Sequence, residues 1–160
     1  MTLVKTITDT SVIDRINVTW SESPNFSGTK VLNCPSKLRV IKDFFYRSYW
    51  GDVILIARGI NNHYGVGINE SGFRFESDLE SDEEVFEGVE LFDPIDEVYL
   101  EEKAFERLSL KFFKAVIEGS NFQAELSNQP WWTEFIAIVG QIEARTIVGQ
   151  IEARTIERQN

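Results

Sequence analysis

The sequence predicts an α+β fold, in which an antiparallel β-meander packs against one long buried helix with one or two further helices. Two observations lead to this prediction. Residues 52–76 alternate short apolar runs with turn residues, as successive antiparallel strands do. Glu101–Glu118 carries apolar residues at helical spacing around most of its circumference, as a largely buried helix does. A chain of 160 residues is expected to form one domain.

The composition is that of a folded, acidic chain. Apolar residues make up 42% of the sequence, which is enough for a core of its own. The 26 acidic and 16 basic residues give a formal net charge of −10. This charge argues against nucleic acid and against an anionic membrane as partners, because both attract Lys and Arg. It favours a basic protein partner, or it serves solubility alone.

The sequence also bears on the compartment. Cys34 is the single cysteine, so an intrachain disulfide is excluded. The first ten residues, MTLVKTITDT, lack the apolar stretch and cleavage site of a signal peptide. The apolar runs VILIA and FIAIV are far shorter than a membrane-spanning helix. We therefore expect a cytoplasmic protein.

The first third of the chain is expected to combine strands with one helix. Val12–Trp20 and Thr29–Leu32 have strand-like patterns, separated by a loop at residues 24–28. Lys37–Tyr49 favours a helix between a cap at Ser36 and a stop at Gly51, although its aromatic and β-branched residues also suit a strand. The helical stripe would consist of Leu38, Ile41, Phe45 and Tyr49.

The predicted meander follows directly. Its first strand is apolar on both faces, which is typical of a central strand. Asn tolerates the positive φ that a two-residue hairpin needs. The expected order is a central strand Val53–Arg58, a turn at Asn61-Asn62, a strand His63–Asn69, a turn at Ser71-Gly72, and a strand with Phe73 and Phe75 on one face.

The acidic segment (residues 76–102) holds 13 acidic residues and no basic one. Interleaved apolar residues indicate that part of it folds, with an exposed loop at Ser77–Glu84, an edge strand at Val85–Phe92 and a turn at Asp93-Pro94. We interpret its acids either as a solubilising surface or as the rim of a surface for a basic partner. The rim would consist of Asp78, Glu80, Asp82, Glu83, Glu84, Glu87 and Glu90.

The C-terminal third predicts helices and contains an exact repeat. The Glu101–Glu118 helix should end at Gly119, and Trp131–Val139 begins a second helical pattern. The nonapeptide IVGQIEART occupies residues 138–146 and again residues 147–155. Nine residues are about 2.5 helical turns, so the two copies face opposite ways along a helix. We therefore expect a globular domain at 1–146 and an appended tail at 147–160, either helical or disordered.

Motifs for chemistry are weak. Cys34 and His63 could serve as nucleophile and base, but a buried structural cysteine and a solvated histidine explain them more simply. One Cys and one His cannot build a closed zinc site, and the alternating acids do not match a calcium-binding loop. Gly65 and Gly67 share a strand face and leave a shallow ligand trough, or they allow a helix or ring to approach closely. No cofactor or metal is expected.

The leading functional hypothesis is a non-catalytic binding protein for a basic protein partner. Small acidic immunity proteins and antitoxins share this general character, although the sequence carries none of their motifs. The first alternative is a small-molecule-binding or minor enzymatic domain that uses the trough at Gly65 and Gly67. The second is a structural subunit of an oligomer.

Overall fold

The computed structural model describes residues 5–20, 29–47, 50–118 and 126–159. It confirms the α+β class, with a four-stranded antiparallel meander, a separate two-stranded sheet and packed helices. The strands are β1 (Asn17–Trp20), β2 (Thr29–Leu32), β3 (Val66–Ile68), β4 (Ser71–Phe75), β5 (Val89–Phe92) and β6 (Glu97–Leu100). The α-helices are α1 (Thr10–Asp14), α2 (Arg39–Arg47), α3 (Trp50–Asn62), α4 (Glu102–Glu118) and α5 (Trp132–Gln159). Two 3-10 turns occupy Ser36–Leu38 and Glu76–Asp78.

The meander, ordered β3-β4-β5-β6, presents one apolar face to the helices. Phe73 on β4 pairs with Leu91 on β5, which in turn pairs with Val98 on β6, so these side chains share that face. Helices α2 and α3 cover the face. A Cβ atom at Gly59 of α3 would lie only 2.5 Å from Val66 Cγ2, which shows how closely this helix approaches β3.

Helix α4 confirms the prediction of one long buried helix. It packs against α1, β1 and α5, and Phe105 reaches the meander, where its ring centroid lies 5.0 Å from that of Phe73. Phe112 contacts Phe45 of α2 with ring centroids 4.7 Å apart. Helix α5 packs against both α3 and α4, and α4 itself reaches the sheet through Phe105.

The predicted central strand Val53–Arg58 is wrong, because these residues lie in helix α3. A short apolar run fits both periodicities, and here the buried residues follow helical spacing. The helix ends in a Schellman-type turn, in which Tyr64 N donates to Gly59 O at 2.9 Å and His63 adopts φ 60°. The predicted Asn61-Asn62 hairpin is therefore a helix end. The buried positions of α3 are Val53, Ile54, Ile56, Ala57 and Ile60.

Other boundaries also differ from prediction. The turn between β3 and β4 is formed by Asn69 and Glu70, both with positive φ, while the predicted turn at Ser71-Gly72 lies within β4. Strand β5 is interior rather than an edge, because Glu97–Leu100 adds β6 beside it. Val12–Trp20 divides between α1 and β1, and Gly51 lies inside α3. The predicted loop at 24–28, the predicted stripe residue Tyr49 and the predicted helix end at Gly119 lie outside the described residues.

Helix α5 continues through both copies of the nonapeptide, and the two copies have different environments. The first copy buries Ile138, Val139 and Ile142 in the core. The equivalent Ile147, Val148 and Ile151 are 48%, 53% and 56% exposed, because this part of the helix extends beyond the core and all its faces are exposed. Even with α5 included, no helix within the described ranges is both long and apolar enough to cross a bilayer. The boundary at residue 146 stays a prediction.

We expect truncation after Thr146 to change stability little, because residues 147–158 are all exposed. Thermal unfolding followed by circular dichroism measures the effect. A fall in Tm of more than about 8 °C, well over 1 kcal/mol for a domain of this size, would show that the second copy belongs to the core.

Candidate functional site

The outer face of the meander, opposite the helices, carries a cross-strand row of polar side chains. Arg74, Glu90 and Tyr99 occupy adjacent positions on β4, β5 and β6. Arg74 Nε donates to Glu90 Oε1 at 2.7 Å, and the Tyr99 hydroxyl donates to Glu90 Oε2 at 2.8 Å. Glu90 is only 8% exposed. Burial and the bond to Glu90 raise the pKa of Tyr99, which keeps the phenol protonated as the donor.

Residues 76–88, here called the covering loop, close over this row. Phe86, a residue of this loop, is buried. Its ring centroid lies 5.7 Å from the Arg74 guanidinium and 5.4 Å from the Tyr99 ring centroid. Arg74 also pairs with Glu83. At the loop's start, Asp78 Oδ2 accepts a hydrogen bond from Phe75 N at 2.8 Å. The loop is thus anchored on the sheet by an aromatic ring, an ion pair and a backbone cap.

The seven acids of the predicted rim divide into two groups. Glu83 and Glu90 pair with Arg74, Glu84 lies 3.2 Å from Lys5 Nζ, and Asp78 caps the covering loop. The two cations, Arg74 and Lys5, lie outside the acidic segment, which itself contains no basic residue. Of these seven, Glu80, Asp82 and Glu87 are exposed and form neither an ion pair nor a side-chain hydrogen bond with the residues that the structure describes.

The two glycines of the predicted trough have different environments. A Cβ atom at Gly65 would lie 2.8 Å from Phe73 O, so this glycine lets the chain pass close to β4. Gly67 lies in β3 and is exposed, and a Cβ there would meet only Ser71 O at 4.0 Å. Neither glycine lines the cleft described below. The close-approach interpretation therefore explains Gly65, and the trough at Gly67 stays a prediction.

Cys34 and His63 have separate partners. The Cys34 thiol donates to Leu38 O at 3.3 Å, and burial raises its pKa, which disfavours the reactive thiolate. His63 instead contacts Glu102 and Ser77. Among the described residues, no cluster of three or more His, Cys, Asp or Glu could hold a metal ion.

A cleft that the sequence did not predict lies beside His63. It has a volume of about 230 Å³ and forms where the end of α3, strand β4, the first turns of α4 and the middle of α5 meet. Ile60, Phe75 and Phe105 form its apolar walls. Its polar lining comprises Asn61, His63, Glu102, Lys103, Glu106 and Arg145. The sequence carried one signal for this cleft, a glutamate at position 106 directly after the core residue Phe105.

The end of α3 positions one side of this cleft. The left-handed conformation of His63 directs its ring onto Phe75, with ring centroids 4.0 Å apart and nearly parallel. His63 Nε2 lies 2.8 Å from Glu102 Oε1, and Nδ1 lies 3.3 Å from Ser77 Oγ. The imidazole thus holds the Glu102 carboxylate at the mouth of the cleft.

Serine, histidine and glutamate are also the residue types of a hydrolase triad. Triads act where water is excluded, because hydrogen bonds and charges are then strong. Here the His63 and Glu102 side chains are 46% and 43% exposed. The role that these contacts do show is the positioning of Glu102.

Comparison of the chain with protein-family models, curated proteins and solved structures finds no match. Two features of the structure bear on function, the anchored covering loop and the cleft at His63.

We expect Arg74→Met to destabilise the fold by about 3 kcal/mol, because it leaves the buried Glu90 carboxylate without its cation. The matched control is Arg107→Met, whose guanidinium pairs at 3.0 Å with the largely exposed Asp14 and should cost less than about 1 kcal/mol. Urea unfolding measures both variants. Equal losses for the two would show that the covering loop does not depend on Arg74.

Proposed function

We propose that this chain is a non-catalytic, cytoplasmic binding protein whose covering loop docks a basic protein partner, in the manner of an inhibitor or immunity protein. The observation that supports this proposal is the anchoring of the loop. Phe86, Arg74 and the Asp78 cap hold its backbone, while Glu80, Asp82 and Glu87 are left exposed. Solubility alone requires negative charge but no fixed arrangement of it.

A preorganised acidic loop suits protein recognition for two physical reasons. A loop already held in place loses little conformational entropy when a partner binds. Exposed carboxylates on a chain of net charge −10 also attract a basic partner over long range and raise the association rate. Glu83, Glu84 and Glu90 form internal ion pairs and contribute to the loop's position. The residues proposed to contact the partner are therefore the exposed Glu80, Asp82 and Glu87.

The test removes the three exposed charges together, as Glu80→Gln, Asp82→Asn and Glu87→Gln. We expect an unchanged Tm and an association rate about tenfold slower at about 10 mM salt, with a smaller difference at about 150 mM. Stopped-flow mixing with the basic proteins encoded by neighbouring genes measures the rate, with unrelated basic proteins as reference.

The matched control removes three exposed glutamates elsewhere, as Glu118→Gln, Glu152→Gln and Glu157→Gln. Both variants lose the same net charge, so only the location differs. If the two variants slow association equally, net charge alone is responsible and the covering loop is not the docking surface.

A second candidate function is self-association through the tail. The specific observation is the exposed apolar stripe of Ile147, Val148 and Ile151, which repeats residues that the first copy buries. Apolar side chains at three- and four-residue spacing form one face of a helix and pair with a similar face.

Sedimentation of the full chain and of the chain truncated after Thr146 tests this candidate. We expect the full chain to form dimers at high concentration and the truncated chain to remain monomeric. Identical sedimentation of the two chains over the same concentration range would exclude the tail as an association surface.

A further inference from the structure

Glu106, which lines the cleft beside His63, has a buried carboxylate oxygen without a hydrogen-bond donor. The Glu106 side chain is 9% exposed, and its Oε2 lies 3.6 Å from Arg145 Nη2. Its Oε1 has no hydrogen-bond partner within the described part of the chain. A buried acceptor without a donor is costly, so a donor that entered the cleft would restore a lost interaction.

A second carboxylate stands one helical turn away. Glu102 and Glu106 lie four residues apart on α4 and both line the cleft. Glu102 uses Oε1 for His63, and its Oε2 has no partner among the residues that the structure describes. Two acceptor oxygens on neighbouring carboxylates match a ligand with several N–H donors in a plane.

The size and the lining of the cleft further restrict the chemical class of ligand that it can bind. Its volume of about 230 Å³ lies below the usual range for drug-sized ligands, so it suits a single side chain or a small ion. The walls of Ile60, Phe75 and Phe105 are apolar and partly aromatic. A guanidinium group is planar, weakly hydrated and stacks on aromatic rings, whereas an ammonium is compact and strongly hydrated.

We infer that this cleft binds one guanidinium group, which donates to the carboxylates of Glu106 and Glu102 and packs against the aromatic wall. The inference rests on the proposed function for the source of that group, an arginine side chain of the basic partner. The alternative source is a free small guanidinium compound. Arginine anchors that fill pockets are typical centres of binding energy at protein interfaces.

The cations that line the cleft set its selectivity. The Arg145 guanidinium already has protein partners, since its Nη1 donates to Asn61 Oδ1 at 3.0 Å and its Nη2 faces Glu106. Lys103 is exposed at the rim and would repel a cationic ligand. Removing the Lys103 charge should therefore tighten binding.

The experiment is an NMR titration of the full chain with N-acetyl-arginine methylamide, the analogous citrulline compound and methylguanidinium. We expect saturable shifts at residues 60–63, 102–106 and 145. The arginine probe should bind at least about tenfold more tightly than the neutral citrulline probe. Equal affinity for the arginine and methylguanidinium probes would indicate a free guanidinium ligand, and tighter binding of the arginine probe would indicate a protein side chain.

Variants identify the carboxylates. Glu106→Gln should weaken the arginine probe about tenfold or more, Lys103→Gln should strengthen it, and the control Glu157→Gln should leave it unchanged. If Glu106→Gln does not fold, Glu102→Gln replaces it, because Glu102 is partly exposed. Shifts confined to the covering loop, equal binding of citrulline, or indifference to both glutamate substitutions would overturn the inference.

This outcome is separable from that of the proposed function. If the arginine probe does not bind but removal of the covering-loop charges still slows association with the partner, the cleft inference fails and the docking function stands. If the probe binds in the cleft while the charge variant and its control behave alike, the cleft is a site and the covering loop is not.

Discussion

The buried carboxylate of Glu90 is the constraint on which the outer face of the sheet depends. A carboxylate at 8% exposure needs a cation and further donors, and Arg74 and Tyr99 supply them from the two flanking strands. Arg74 then extends to Glu83 and to the Phe86 ring, which draws the covering loop onto the sheet. The meander is therefore enclosed by helices on one face and by acidic chain on the other.

This arrangement changes what the negative charge can do. A run of acids that were all solvated would repel one another and remain mobile. Pairing Glu83, Glu84 and Glu90 with Arg74 and Lys5 lowers that repulsion and fixes the backbone. The charges that remain exposed then have defined positions, which is a requirement for specific recognition as distinct from general solubility.

The cleft depends on how helix α3 ends. Because His63 adopts a left-handed conformation after the last turn, its ring stacks on Phe75 and reaches Glu102 at the start of α4. The same junction buries Glu106 beside Arg145 of α5. Four elements that are distant in sequence thus converge on one polar pocket with apolar walls, at the edge of the surface that carries the covering loop.

Sequence patterns were sufficient to predict the α+β class, the buried helix α4, the shared face of Phe73 and Phe75, and the opposite orientation of the two nonapeptides. In each case a long or exact periodicity leaves one geometric solution. The tertiary structure was needed to show that Val53–Arg58 is helical, because a short apolar run fits a strand or a helix equally well. It also decided which acids are neutralised and that Glu106 is buried without a donor. Those outcomes depend on partners such as Lys5 and Glu84, or Glu106 and Arg145, which only the packing of distant elements brings together.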